Sequence, residues 1–455
     1  MSIKKNDIFK IEIKSMTTEG SGVGRIGEMA VFVPNSAIGD ILDIKILKVK
    51  KNYAFGKIID ILTPSKDRIE ADCANYMQCG GCTFRHISYE AELKLKQQRV
   101  LDSLQRIGGF KDIVIDEIVA AEHPDRYRNK AQIPVSRDLD GKLTLGFFAY
   151  HSHRIIDFSG CFLQPKIFEN VINAFKDWEK EAKQKIYDES TNSPGIRHLY
   201  IRMGKATGEV MVCIVTTGEQ IKKEDSLVKM LKDCVPNLKS VVINTNNKNT
   251  NVILGDKCRT IWGDGYITDE LCGLKFKISP ISFYQVNHEQ TEKLYTLVAN
   301  YAKPTKKDVV LDLYCGIGTI GLTLAKYVKE LIGVEVEEQA VLNARENALI
   351  NGINNAQFIC ADAAKAAKML SERGERPSIV ILDPPRKGCD LELIKTVKNI
   401  SPEKVVYVSC DPATLARDLK EFCSIGYEIK KVTPVDMFPR TANVETIVLM
   451  SRVDK

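Results

Sequence analysis

Two cysteine groups and a glycine-rich turn have the residue types and spacing to do chemistry. The first cysteine lies in "VVYVSCDPATLARDL", residues 405–419. Val405, Val406, Tyr407 and Val408 predict a buried strand. Asp411 suits a helix N-cap, Pro412 suits the first turn, and Leu415 and Leu419 continue at helical spacing. Cys410 therefore ends a strand and faces a helix N-terminus. In an open α/β sheet that edge is where ligands bind, and a helix N-terminus favours a thiolate. The plain alternative is a small core residue. The second group is Cys73, Cys79 and Cys82, spaced C-x5-C-G-G-C, with Cys161 following in "DFSGC". Three clustered thiols and a distant fourth suit a zinc ion or a 4Fe-4S cluster, and the spacing does not choose between them.

The glycine-rich turn reads "DLYCGIGTIG", residues 312–321. Gly316, Gly318 and Gly321 fit G-x-G-x-x-G between a strand and a helix, a pattern that also serves dinucleotides. Three carboxylates point instead to S-adenosylmethionine. Asp312 lies inside the strand end, Glu335 ends the second strand where it can accept two ribose hydroxyls, and Asp362 ends the third. "LDPPRKG" (382–388) ends the fourth strand. It resembles the D/N-P-P-aromatic motif of amino-group methylation, but Arg386 stands where the aromatic would be, which disfavours that chemistry.

These residues need elements to hold them, and the sequence patterning predicts a multidomain α/β chain. Residues 1–62 show short apolar-polar alternations with glycine-rich turns, an oligonucleotide-binding type of barrel. Lys48, Lys50 and Lys51 cluster there with Tyr53 and Phe55, a composition suited to RNA. Residues 63–280 predict a central α+β domain holding the four cysteines. A helix at 88–108 is assigned to it, with packing on the next domain left open. Residues 281–455 alternate strand and helix, then end in two strands that pair antiparallel, a Rossmann-like domain.

A nucleophilic thiol and a carboxylate near one ring suit one demanding reaction. Uracil carbon-5 is a poor nucleophile. A thiolate added to carbon-6 loads electron density on carbon-5, which can then take a methyl group. A base must next remove the carbon-5 proton so that the thiolate can leave. Cys410 is the candidate nucleophile. Glu445, which starts the last strand in "TANVETIVL", is the candidate base.

With these motifs in order, the chain resembles the bacterial RNA uracil-5 methyltransferases, in particular those forming 5-methyluridine in 23S ribosomal RNA. "SFYQVN" (282–287), "DLYCGIGT", "SCDPATLARDL" and "VET" carry the resemblance. It implies cofactor contacts at Gln285, Tyr314, Glu335 and Asp383, a nucleophile at Cys410 and a base at Glu445. It also implies a TRAM module at 1–62, and a 4Fe-4S cluster on Cys73, Cys79, Cys82 and Cys161 rather than zinc. Gly316, Gly318 and Asp362 complete the expected S-adenosylmethionine site.

Bulk properties agree with such a chain. Its 455 residues suit about two to four domains. Net charge is +6, which permits a nucleic-acid partner without requiring one. No long apolar run or signal-peptide core appears, so a cytoplasmic monomer without membrane contact is expected, meeting 23S rRNA before or during ribosome assembly. Two other functions compete. A cytosine-5 methyltransferase uses the same covalent logic, but its usual P-C or T-C-S-x-x-P contexts are missing around Cys410. An RNA-binding chaperone with a vestigial methyltransferase fold would not need Gln285, Glu335, Asp383, Cys410 and Glu445 together.

Overall fold

In the computed structural model, which describes residues 3–453 apart from 139, 151 and 159, the N-terminal segment forms a six-stranded sheet. Its order is Ile8–Glu12, Ile41–Val49, Tyr53–Thr63, Met29–Val33, Gly22–Ile26 and Ser15–Met16. Alternation decides what is inside. Leu42, Ile44 and Ile46 are buried with Ile11, Val31, Val33 and Ala54, while Lys45, Leu47 and Lys48 face out. The end strands Ile8–Glu12 and Ser15–Met16 are consecutive in the chain, and Lys14 N between them donates to Val23 O at 3.0 Å, so the two ends of the sheet lie together. A Cβ on Gly24 would stand 2.7 Å from Ile11 Cδ1, so only glycine allows that approach.

The central domain is a seven-stranded sheet in the order Lys257–Gly263, Leu238–Thr245, Val210–Thr216, Ile196–Met203, Lys130–Arg137, Leu143–Phe148 and Ile155–Asp157. Helices Ile167–Ala182 and Glu224–Cys234 cover one face, where Trp178, Phe175, Leu199 and Ile201 pack together. The other face is covered too. Tyr200, Met211 and Cys213 share a core with the hairpin Ile267–Leu271 and Leu274–Ile278 and with residues of the C-terminal domain, such as Leu294 and Val310. Central and C-terminal domains thus have a common core.

The C-terminal sheet is ordered Ala356–Cys360, Glu330–Glu335, Val309–Leu313, Ile379–Leu382, Lys404–Ser409, Glu445–Arg452 and Tyr427–Val435. The first five strands are parallel, and Glu445–Arg452 runs antiparallel to both its neighbours. Strand order reverses between Val309–Leu313 and Ile379–Leu382, which opens a crevice at their carboxyl ends.

Helix Tyr89–Arg106 starts on Ser88, whose Oγ accepts from Ala91 N at 3.2 Å. It buries Val100 and Leu104 among residues of the C-terminal domain, including Leu415, Leu419 and Val432. Lys96, buried about two turns into the helix, donates to Glu92 Oε1 and to Asp436 Oδ1, each at 2.6 Å. The helix thereby holds the segment 436–444 that leads into Glu445. No helix among the described residues is long and apolar enough to cross a membrane.

Candidate active site

The ladder register brings the site together. Leu313 pairs with Val334 and with Leu382, so Tyr314, Glu335 and Asp383 are each the next residue outward on adjacent strands. Ser409 pairs antiparallel with Thr446, so the next residue outward on one strand is Cys410 and on the other Glu445. Residues far apart in sequence thus meet along one edge.

The cofactor side is built around the glycine turn. Tyr314 has φ of 66°, unusual for an aromatic residue, and Gly316 (55°) and Gly318 (84°) follow in the same left-handed region. The chain therefore doubles back sharply enough for Gly316 N to donate to Glu335 Oε2 at 3.1 Å. Val336 N donates to Glu335 Oε1 at 2.8 Å, which fixes the carboxylate across the turn. Asp312 accepts from Gly321 N at 2.9 Å and leaves Oδ1 buried without a partner. Burial pushes its carboxyl up to about 8. Asp362 is the N-cap of helix Ala363–Glu372, accepting from Ala364 N and Lys365 N at 3.0 and 3.2 Å. In "SFYQVN", half-buried Gln285 accepts at its carbonyl from Asn129 Nδ2 at 2.8 Å. Asn287 caps helix His288–Ala302 and donates through Nδ2 to Met437 O at 3.1 Å. Acidic Glu335 and Asp383 beside an orphaned Asp312 oxygen fit a polar, cationic ligand such as S-adenosylmethionine, whose transferable methyl group would be the chemistry supplied here.

On the other side, Glu445 is buried, and burial, with Asp383 adding to it, pushes its carboxyl up to about 8. Burial also raises Asp383 to about 7. Burial, then Glu445 and Asp383, push the Cys410 thiol up to about 11, while Arg386 opposes them. Burial and these two carboxylates oppose the thiolate that the sequence reading expects the helix N-terminus to favour. The first turn of helix Pro412–Ser424 is already engaged: Asp411 Oδ1 accepts from Ala413 N and Thr414 N at 2.9 and 3.0 Å. An anionic cap at that end offsets the helix dipole. Arg386, unassigned from sequence beyond its departure from an aromatic motif, is the cation that favours both charged forms.

Cys73, Cys79, Cys82 and Cys161 line one cavity of about 70 Å³ together with Arg85 and Arg128. Among the described residues no group of three or more His, Cys, Asp or Glu stands close enough to hold a single metal ion. Four sulfurs about 2.3 Å from one zinc would have to be nearly in contact.

On the barrel, Lys48, Lys50, Lys51, Tyr53 and Phe55 are all exposed. Phe55 pairs in register with Lys48 and with Phe32. Phe32, Tyr53 and Phe55 have ring centroids 5.5 to 5.8 Å apart. Phe32 was invisible in sequence because it comes from a strand twenty residues earlier, and only the parallel pairing of Met29–Val33 with Tyr53–Thr63 adds it to the cluster.

A doubly wound domain with this edge, preceded by a small basic barrel, defines a nucleic-acid methyltransferase class. Comparison with known proteins narrows it. The family model described as tRNA (Uracil-5-)-methyltransferase matches residues 256–453, and the TRAM domain model matches residues 4–59. An uncharacterized RNA methyltransferase of Halalkalibacterium halodurans is 43% identical over 98% of this chain and 98% of its own. One of Clostridium tetani is 41% identical over 99% of this chain and 97% of its own. Among solved structures, the Pyrococcus abyssi tRNA (uracil-54, C5)-methyltransferase in complex with S-adenosyl-L-homocysteine superposes with a TM-score of 0.78. It is 27% identical, covering 97% of this chain and all of that one. The chain belongs to the TRAM-containing RNA uracil-5 methyltransferase family, and it acts with S-adenosylmethionine on RNA.

Proposed function

We propose that the protein methylates carbon-5 of a uridine in 23S rRNA through a covalent adduct between Cys410 and uracil carbon-6. The observation that carries the adduct is the pairing of Ser409 with Thr446, which sets a thiol and a buried carboxylate side by side. Cys410 first gives its proton to solvent water, and the Arg386 cation favours the thiolate left behind. Its sulfur adds to carbon-6, and the ring's electron pair moves to carbon-5 and the carbonyl at carbon-4. After carbon-5 gains the methyl group, Glu445 as carboxylate takes the carbon-5 proton. The electron pair then reforms the 5,6 double bond and expels the thiolate. Gln285, Tyr314, Gly316, Gly318, Glu335, Asp362 and Asp383 are the proposed cofactor contacts.

We also propose a 4Fe-4S cluster on Cys73, Cys79, Cys82 and Cys161. Four thiols converging on one cavity flanked by two arginines support an anionic group there. The methylation needs no redox centre, so the cluster's task is to brace the fold or the RNA-binding surface.

The ribosomal target rests on the four-cysteine pattern of the 23S branch. A tRNA uridine is the second reading, favoured by the substrate named for the Pyrococcus abyssi structure. Mapping 5-methyluridine in both RNAs from a deletion strain tests the choice: loss from 23S rRNA is expected, and loss only from tRNA would overturn it.

A further inference from the structure

The central sheet carries two basic side chains to the catalytic side. In strand Lys130–Arg137, Ala131 and Ile133 face the central helices, and in strand Ile196–Met203, Leu199 and Ile201 do the same. Side chains alternate faces along a strand. Lys130 and Arg202 therefore turn the other way, as Tyr200 does, toward the core shared with the C-terminal domain.

Lys130 and Arg202 are directly opposite in the ladder. Like charges so placed repel, and among the described residues no carboxylate pairs with either. Lys130 is half-buried, and burial, then Arg202 and Arg128, push its amine down to about 8. Arg202 is 4% exposed. Its Nε donates to the Tyr200 hydroxyl and its Nη2 to Ser282 O, which locks the guanidinium plane. Nη1 remains buried with no partner. A fixed, desolvated cation with a free donor, facing a second cation, is a costly arrangement unless an anion completes it.

Its position says which anion. Asn129, next to Lys130, bonds through its N to Val286 O at 2.9 Å and through Nδ2 to Gln285 O at 2.8 Å. Arg202 reaches Ser282 of the same segment. The pair thus borders the proposed cofactor and uridine site from the central-domain side. An enzyme that works on an extruded base must also grip the strand that base hangs from. We propose that Lys130 and Arg202 form a seat for a phosphodiester of the RNA strand flanking the target uridine. The inference rests on the uridine-methylation reading.

The test uses the full-length protein, a uridine-containing single-stranded RNA that the wild type demonstrably methylates, and S-adenosylhomocysteine as a separate ligand. The wild-type methylation control tests the reading itself, apart from the seat. Lys130→Gln should weaken RNA binding about tenfold at low salt. It should also lower the log–log salt slope by about 0.7, the loss of one phosphate contact on a single strand. Affinity for S-adenosylhomocysteine should not change, and Lys130→Arg should restore RNA affinity and slope. If Lys130→Gln weakened S-adenosylhomocysteine binding and spared RNA, the anion would be the cofactor's carboxylate and the proposal would fall. Unchanged binding of both ligands would overturn it equally.

Discussion

Replacing Glu445 with glutamine should stabilise the protein, by an amount that grows as pH rises from about 4.5 to about 8. The carboxyl stands at about 8 in the fold against an ordinary 4.5, raised by burial first and by Asp383 second. In an unfolded chain the group titrates at its ordinary value. Between pH 4.5 and 8 the folded state therefore holds a proton that the unfolded state has lost, so stability falls as pH rises through that window. Below it, neutral glutamic acid and glutamine are near equivalents. Above it, the wild type carries the full cost of a buried carboxylate. At about 1.36 kcal/mol per unit, the gap corresponds to about 5 kcal/mol. Melting Glu445→Gln beside wild type across a pH series reads this directly. The two should melt together near pH 5, and the variant should melt higher at pH 9, by on the order of 10 °C for a cooperative domain. A constant offset at every pH would refute the claim that Glu445 is buried against its own charge, and with it the idea of a base tuned toward neutrality.

Three further outcomes are expected. Cys410→Ala should abolish methyl transfer while leaving S-adenosylhomocysteine affinity nearly intact, whereas Glu445→Gln should accumulate a covalent RNA–protein band on a denaturing gel; methylation by the alanine variant would sink the adduct mechanism. Protein purified without oxygen should be brown and carry about four irons per chain, and Cys79→Ala should bleach it; one zinc per chain would count against the cluster. Tyr53→Ala with Phe55→Ala should weaken RNA binding by about 1–3 kcal/mol for each base unstacked, without altering S-adenosylhomocysteine binding; equal RNA affinity would mean that the barrel's aromatic face is not an RNA handle.

What the sequence determined by itself was local. Strand-to-helix punctuation put Tyr314, Glu335, Asp383 and Cys410 at strand ends, because a β-branched run followed by a cap and a helical stripe is written in neighbouring residues. The barrel alternation was legible for the same reason. Tertiary structure decided what depends on partners distant in the chain. The antiparallel register of Glu445–Arg452 makes Glu445 the neighbour of Cys410. The buried Lys96–Asp436 pair makes helix Tyr89–Arg106 a brace for the base-bearing segment, although it precedes that segment by more than three hundred residues. A helix end behind the thiol is visible in sequence, whereas burial, Glu445 and Asp383, which oppose its ionisation, arrive only with folding. Lys130 and Arg202 read as ordinary strand residues until the ladder set them opposite each other. Charge, unlike periodicity, acts through space, so its consequences appear only when the chain has closed.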